Sequence, residues 1–257
     1  MALFDHTAAR LARGPAVLFP ADPAAAMAEA VLRYDPKVGV KGEEFVFRNG
    51  VRLHGPVEVT PAAASKAGLP AGVTAGYYAD IAEAGGSRSR PDSLRWQDAE
   101  RLIRGLAARL GGSVHDERPP MDLPLCASVF SAAPVPAEQV IEVVQSYVDT
   151  GDLAAEADAD VPGAYCLITE APVFFVVYWP HRLSRSRLAQ PPPAVGDLPG
   201  RELCRWDLRT TLPVATAGRK ECLRVGEAAL ALARHADGIV VDTYGFPVDR
   251  PEDLLSR

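Results

Sequence analysis

Lysine is nearly missing from this chain: Lys37, Lys41, Lys66 and Lys220 are the whole set among 257 residues, while arginine and alanine are abundant. That bias reads as the codon usage of a GC-rich bacterial genome rather than as a function. The four cysteines, Cys126, Cys166, Cys204 and Cys222, all fall beyond residue 121 and form no close pair, which excludes a disulfide framework and the paired-ligand spacing of a zinc ribbon. No run of about 18 apolar residues occurs, so no transmembrane helix and no membrane partner are expected. The five histidines, His6, His54, His115, His181 and His235, give neither an i, i+4 pair nor an HExxH frame. A GxSxG elbow, a Walker A loop and a GxGxxG turn are all missing, and with them the mechanical parts of the usual serine hydrolases, NTPases and dinucleotide-binding enzymes. The expectation is therefore no catalytic residue, no metal and no cofactor. Residues 1–13 lack the apolar core of a signal peptide and read as a cytoplasmic start. The formal net charge of −6 argues against a surface given over to nucleic acid.

What is present is one plan written twice. Pro23 is followed by apolar residues at Met27, Val31 and Tyr34, and Pro136 by Val140, Val144 and Tyr147, the same pattern 113 residues on. Later, Gly112 and Asp116 match Gly238 and Asp242 at a spacing of 126. The larger second spacing implies extra loop residues between the two helices of the second copy. The division expected is an extension over 1–13, a first α/β repeat over 14–120, a second over 121–250 and a tail over 251–257.

Each copy reads as strand, helix, strands, helix, strand. Residues 16–19 and 125–130 are short apolar runs suited to strands. Asp22-Pro23 is a helix entrance, with the carboxylate capping free N–H groups and proline at the first helical position, and Pro136 holds the matching place. Arg48-Asn49-Gly50 between residues 44–47 and 51–54 is a hairpin signal. A strand over 74–81 is matched with 201–208, which sets Asp80 against Asp207. Amphipathic helices over 97–110 and around Val225, Ala229, Leu232 and Ala236 stop at Gly111-Gly112 and Asp237-Gly238. Two exposed linkers, 82–93 and 188–200, precede these helices.

This order of elements resembles tandem ferredoxin-like proteins: α+β, with two duplicated split βαβ sandwiches whose antiparallel sheets carry helices on one face. The class includes RNA-processing proteins of bacterial defence systems, ligand-binding modules, and adaptor or immunity proteins. The likeness is one of layout and carries no family motif.

Candidate chemistry is sparse. Ser87-Arg88-Ser89-Arg90 and Ser184-Arg185-Ser186-Arg187 repeat one tetrapeptide, the second beside Arg182, and planar guanidinium forks at Arg88, Arg90, Arg182, Arg185 and Arg187 suit anion binding. Tyr77, Tyr78, Tyr178 and Trp179 are candidate stacking or interface residues. His115 beside Asp116, and Cys222 near Arg219 and Lys220 at a helix start, are the two places where an unadvertised active site would sit. The function expected is a non-catalytic bacterial cytoplasmic protein that binds another protein as an adaptor or regulator, of immunity or defence type. The alternatives are a nucleic-acid-binding or RNA-processing protein using the arginine linkers, and an enzyme with a Cys/His site.

Overall fold

Alternation of apolar and polar side chains decides which way the strands face. Val51 and Leu53, buried, alternate with the half-buried Arg52 and His54 in one such strand, until a register shift between His54 and Val57 carries Val57 to the opposite side, where it packs with Leu18 and Tyr78. The computed structural model describes residues 9–12, 14–81, 94–115, 123–147, 153–157, 164–168, 174–179, 192–199, 203–214 and 216–255. The chain is α+β and divides into two units between Met121 and Asp122.

The first unit holds β1 (Ala16–Phe19), β2 (Gly39–Lys41), β3 (Glu44–Val46), β4 (Val51–Glu58), β5 (Ala75–Ile81) and β6 (Ser113–His115), in the order β2-β3-β4-β5-β1-β6. The second holds β7 (Pro124–Ser131), β8 (Ala154–Ala157), β9 (Tyr165–Ile168), β10 (Phe174–Trp179), β11 (Cys204–Pro213) and β12 (Ile239–Asp242), in the order β8-β9-β10-β11-β7-β12. Every strand pair is antiparallel. Numbered within its own unit, each sheet reads 2-3-4-5-1-6.

Helices fall at matching places. A short α1 (residues 9–12) precedes β1. In the first unit α2 (Ala24–Tyr34) follows the first strand, α3 (Pro61–Ala67) follows the fourth, and α4 (Leu94–Leu110) precedes the last. In the second, α5 (Ala137–Val144), extended by a 3-10 turn over Gln145–Tyr147, and α6 (Arg219–Ala236) take the places of α2 and α4. The helix α6 lies on β7, β11 and β12 beside α5, as α4 lies on β1, β4, β5 and β6 beside α2.

The hairpin expected at Asn49-Gly50 forms, with Gly50 at φ +82° where a side chain would be strained. Both helix stops also form: Gly111 and Asp237 are left-handed, and the glycines after them sit where a Cβ would lie 2.5 Å from Phe19 and from the Phe130 carbonyl oxygen.

Other expectations need correction. Helix α2 starts at Ala24, with Pro23 in the cap position and no side-chain cap. Asp22 accepts the Tyr77 hydroxyl at 2.8 Å instead. Pro136 likewise caps α5 without a side-chain bond. Of the described residues in the segments 1–13 and 251–257, Leu11 is fully buried and Leu254 nearly so, each within the core of its own unit. Strands β2 and β8 and the helix α3 carry no signal that the sequence reading recognised, although Thr60 caps α3 by accepting the Ala63 N–H. Finally, the register replaces the Asp80–Asp207 match. Val17 lies between Tyr77 and Val114, and Val129 between Trp206 and Val240. The position that corresponds to Asp207 is thus Tyr78.

Candidate functional site

The second sheet has two unlike faces. Leu125, Ala127, Val129, Trp206, Leu208 and Val240 turn to α5 and α6 and form the main core. The alternate residues Cys126, Ser128 and Phe130 of β7, and Arg205, Asp207 and Arg209 of β11, turn the other way. Part of that side is closed by apolar packing, since Phe130 and Val241 lie under Val195, Leu198 and Leu203 around the 3-10 turn Pro193–Asp197. The remainder is polar.

Asp207 is the centre of the polar part and is 5% exposed. Its Oδ1 accepts from Ser128 Oγ at 2.6 Å and from Arg205 Nε at 2.7 Å, and Arg209 Nη2 stands 3.9 Å from Oδ2. Arg205 Nη2 also donates to Ser128 Oγ at 3.4 Å, and the guanidinium carbon lies 5.6 Å from the centre of the Phe130 ring. A buried carboxylate held by two donors at these distances is a charge-assisted network that fixes the side chains around it. Cys126 Sγ is 3.7 Å from Ser128 Oγ. Burial, then the Asp207 charge, push its thiol up to about 12, against the pull of Arg205, Ser128 and Arg209.

The first sheet carries a different set in the matching place. Tyr78 OH accepts from Arg10 Nη1 at 3.0 Å, which raises the Arg10 pKa, and the Tyr78 ring stacks on His54 at 4.7 Å. His54 Nε2 pairs with Asp80 Oδ2 at 3.1 Å, and Arg52 with Glu44 at 3.2 Å. A separate cavity of about 250 Å³ in this unit is lined by prolines, glycines, Leu18, Ala71, Val73 and Ser113. Its lining brings no ionisable side chain.

Several residues singled out from the sequence are committed to the interior. Tyr77 is 1% exposed, meets Phe19 edge-on, and has its phenol pKa raised by burial and by the bond to Asp22. Tyr78 is buried in the contacts just described. Neither presents a free stacking face. Tyr178 and Trp179 lie in β10 opposite Trp206 and Arg205 in the backbone register. Arg88, Arg90, Arg182, Arg185 and Arg187 fall outside the described residues.

Cys222 is no activated nucleophile, because burial and Glu221 raise its pKa where a thiolate needs it lowered. Cys204 is buried, while Cys126 and Cys166 are half-buried. Cys126 and Cys204 face opposite sides of their sheet, and among the described residues no three His, Cys, Asp or Glu side chains converge to hold a metal ion. His115 is half-buried in β6 opposite Ala16. Among the described residues no helix is long and apolar enough to cross a membrane.

Ser128, Arg205 and Arg209 belong to no motif in the sequence. The available signal was the alternation Arg205-Trp206-Asp207-Leu208-Arg209, which sets three charges on one side of a strand and two large apolar residues on the other. Compared with protein-family models, with curated proteins and with solved structures, the chain matches none.

Proposed function

We propose that this chain is a non-catalytic protein of the bacterial cytoplasm that binds a partner protein, built as a tandem duplication of ferredoxin-like units over 14–120 and 121–250. The shared 2-3-4-5-1-6 order supports the duplication. Strands 1, 4, 5 and 6 of each unit follow the split βαβ arrangement, and strands 2 and 3 extend its edge.

The observation that carries the binding role is the edge itself. Each sheet ends in a strand exposed at every residue, β2 in one and β8 in the other, and Val40 on β2 is 68% exposed. A terminal strand has one row of backbone N–H and C=O groups without a neighbour, and an extended segment of another protein adds to it by main-chain hydrogen bonds. The occupant proposed is such a segment, and the role is that of an adaptor or regulator of immunity or defence type.

The test is photo-crosslinking in the source cell with a benzophenone amino acid placed in turn at Val40, at Ala155 and, as a control, at the exposed helical position Lys66. The expected result is one protein captured from an edge position and not from the control. Nucleic acid captured at the edges, or equal capture from all three positions, overturns the reading.

A further inference from the structure

We propose that Arg205 is a receptor for a single carboxylate, at a site distinct from the sheet edges. The planar guanidinium has two usable sides. Its lateral side, Nε with Nη2, is engaged by Asp207 and Ser128. Its end fork, Nη1 with the second Nη2 hydrogen, has no partner among the described residues, and the side chain is 36% exposed while that of Asp207 beneath it is 6% exposed. The counter-ion is therefore buried and the cation reaches solvent. Phe130 supplies the floor. Holding an arginine in one rotamer before a ligand arrives removes much of the entropy cost of binding, and an end fork presents two parallel donors to the two oxygens of a carboxylate.

The fold does not require this arginine. The matching position in the first sheet, opposite Leu18 as Arg205 is opposite Phe130, is Gly76. A Cβ there would meet both Leu11 methyls at 2.9 Å, so that part of the sheet is closed by Leu11. One unit seals the position with an aliphatic side chain, and the other places a cation in it.

The two oxygens of a carboxylate lie in one plane with the two parallel donors of the fork. Asp207 already offsets part of the guanidinium charge, so a single negative charge balances what remains. The class assigned is thus a monoanionic carboxylate, carried by an acidic peptide side chain or by a small free acid.

The experiment follows the arginine Nε–H resonances of the whole chain by NMR during titration with three probes: acetate, a blocked pentapeptide with one central glutamate, and inorganic phosphate at pH 7.5. The expected outcome is a saturable shift of the Arg205 signal with both carboxylates and a weaker response to phosphate. Arg205→Lys, which keeps the charge but loses the fork, should bind about tenfold more weakly. Arg205→Gln should show no saturable response in the backbone amides of Phe130 and Asp207, with its spectrum otherwise unchanged as the check that it is folded. Tighter binding of the peptide than of acetate assigns the ligand to a protein segment, and equal binding assigns it to a small acid. No saturation by either carboxylate, unchanged affinity in Arg205→Gln, or phosphate as the tightest probe would each overturn the proposal.

Discussion

The two sheets share a strand order and a register, yet they spend the same position differently. On the side away from α4, the first sheet brings Leu18 and Gly76 together under Leu11, in a cluster that includes Ala16, Val57, Val59 and Leu69. On the side away from α6, the second sheet brings Phe130 and Arg205 together, with Asp207 and Ser128 alongside. The difference teaches that the backbone plan is held by the opposite face. There Val17 and Tyr77 in one unit and Val129 and Trp206 in the other are all buried. That face fixes the register, because a slip by one residue would carry every apolar side chain to the wrong side. The face released from that duty can be sealed or made polar.

The largest expected effect breaks the comparison at this position. Leu11→Ala removes a fully buried side chain and should cost about 3 kcal/mol of the stability of the first unit, measured by urea denaturation. Arg205→Ala should cost less, about 1 to 2 kcal/mol, because the arginine is partly exposed while the buried Asp207 it leaves behind keeps the Ser128 hydroxyl as a donor. Equal costs would mean that Arg205 is as structural as Leu11 and that the two sheets do not differ at this position.

A second substitution pair sharpens the match between the units at the entrance to their last strands. In Gly238→Ala the new Cβ would stand 2.5 Å from the backbone oxygen of Phe130, which is held in the sheet, whereas in Gly112→Ala it would stand 2.5 Å from the ring edge of Phe19 and 2.7 Å from a Val17 methyl. Two side chains can shift a few tenths of an ångström where a paired carbonyl cannot. Gly238→Ala should therefore cost about 3 kcal/mol and Gly112→Ala nearer 1 to 2 kcal/mol. Thermal unfolding of the two variants checks the order.

How much of this was legible in the residues varies with the physics involved. The strands and long helices were readable because their signal is periodic and local: the stripes through Ile103 and Leu106, and through Val225 and Leu232, mark faces that are buried. The Asn49-Gly50 hairpin and the stops at Gly111 and Asp237 were readable because those turns need residues that tolerate positive φ. The edge strands were not. Gly39–Lys41 and Ala154–Ala157 are short, exposed and free of β-branched runs, and they exist because a neighbouring strand pairs with them. The polar site was lost for a related reason. Ser128 and Asp207 are 79 residues apart and meet only through the pairing of β7 with β11. Asp22 misled in the opposite direction, since a good capping residue was claimed by the hydroxyl of Tyr77, 55 residues away.

The smallest effect concerns Cys126, and it reads the second unit alone because all four cysteines lie beyond Met121. Burial and the Asp207 charge hold this thiol at about 12, above the roughly 8.5 of a thiol in an unfolded chain. The folded protein therefore keeps the proton over a window in which the unfolded chain has lost it. The stabilisation is complete below about pH 8.5 and disappears as pH rises toward 12. Comparing urea denaturation of the wild type and Cys126→Ser at pH 7.5 and pH 9.5, the advantage of the wild type should shrink by about 1 kcal/mol at the higher pH, with some discount because the thiol is half-buried. Iodoacetamide labelling gives an independent reading, since the thiolate is the reacting form. At pH 8 Cys126 should react much more slowly than a free thiol, and Asp207→Asn, which removes the nearest negative charge, should speed it. Reaction at the rate of a free thiol in the wild type would show that neither burial nor the Asp207 charge protects Cys126.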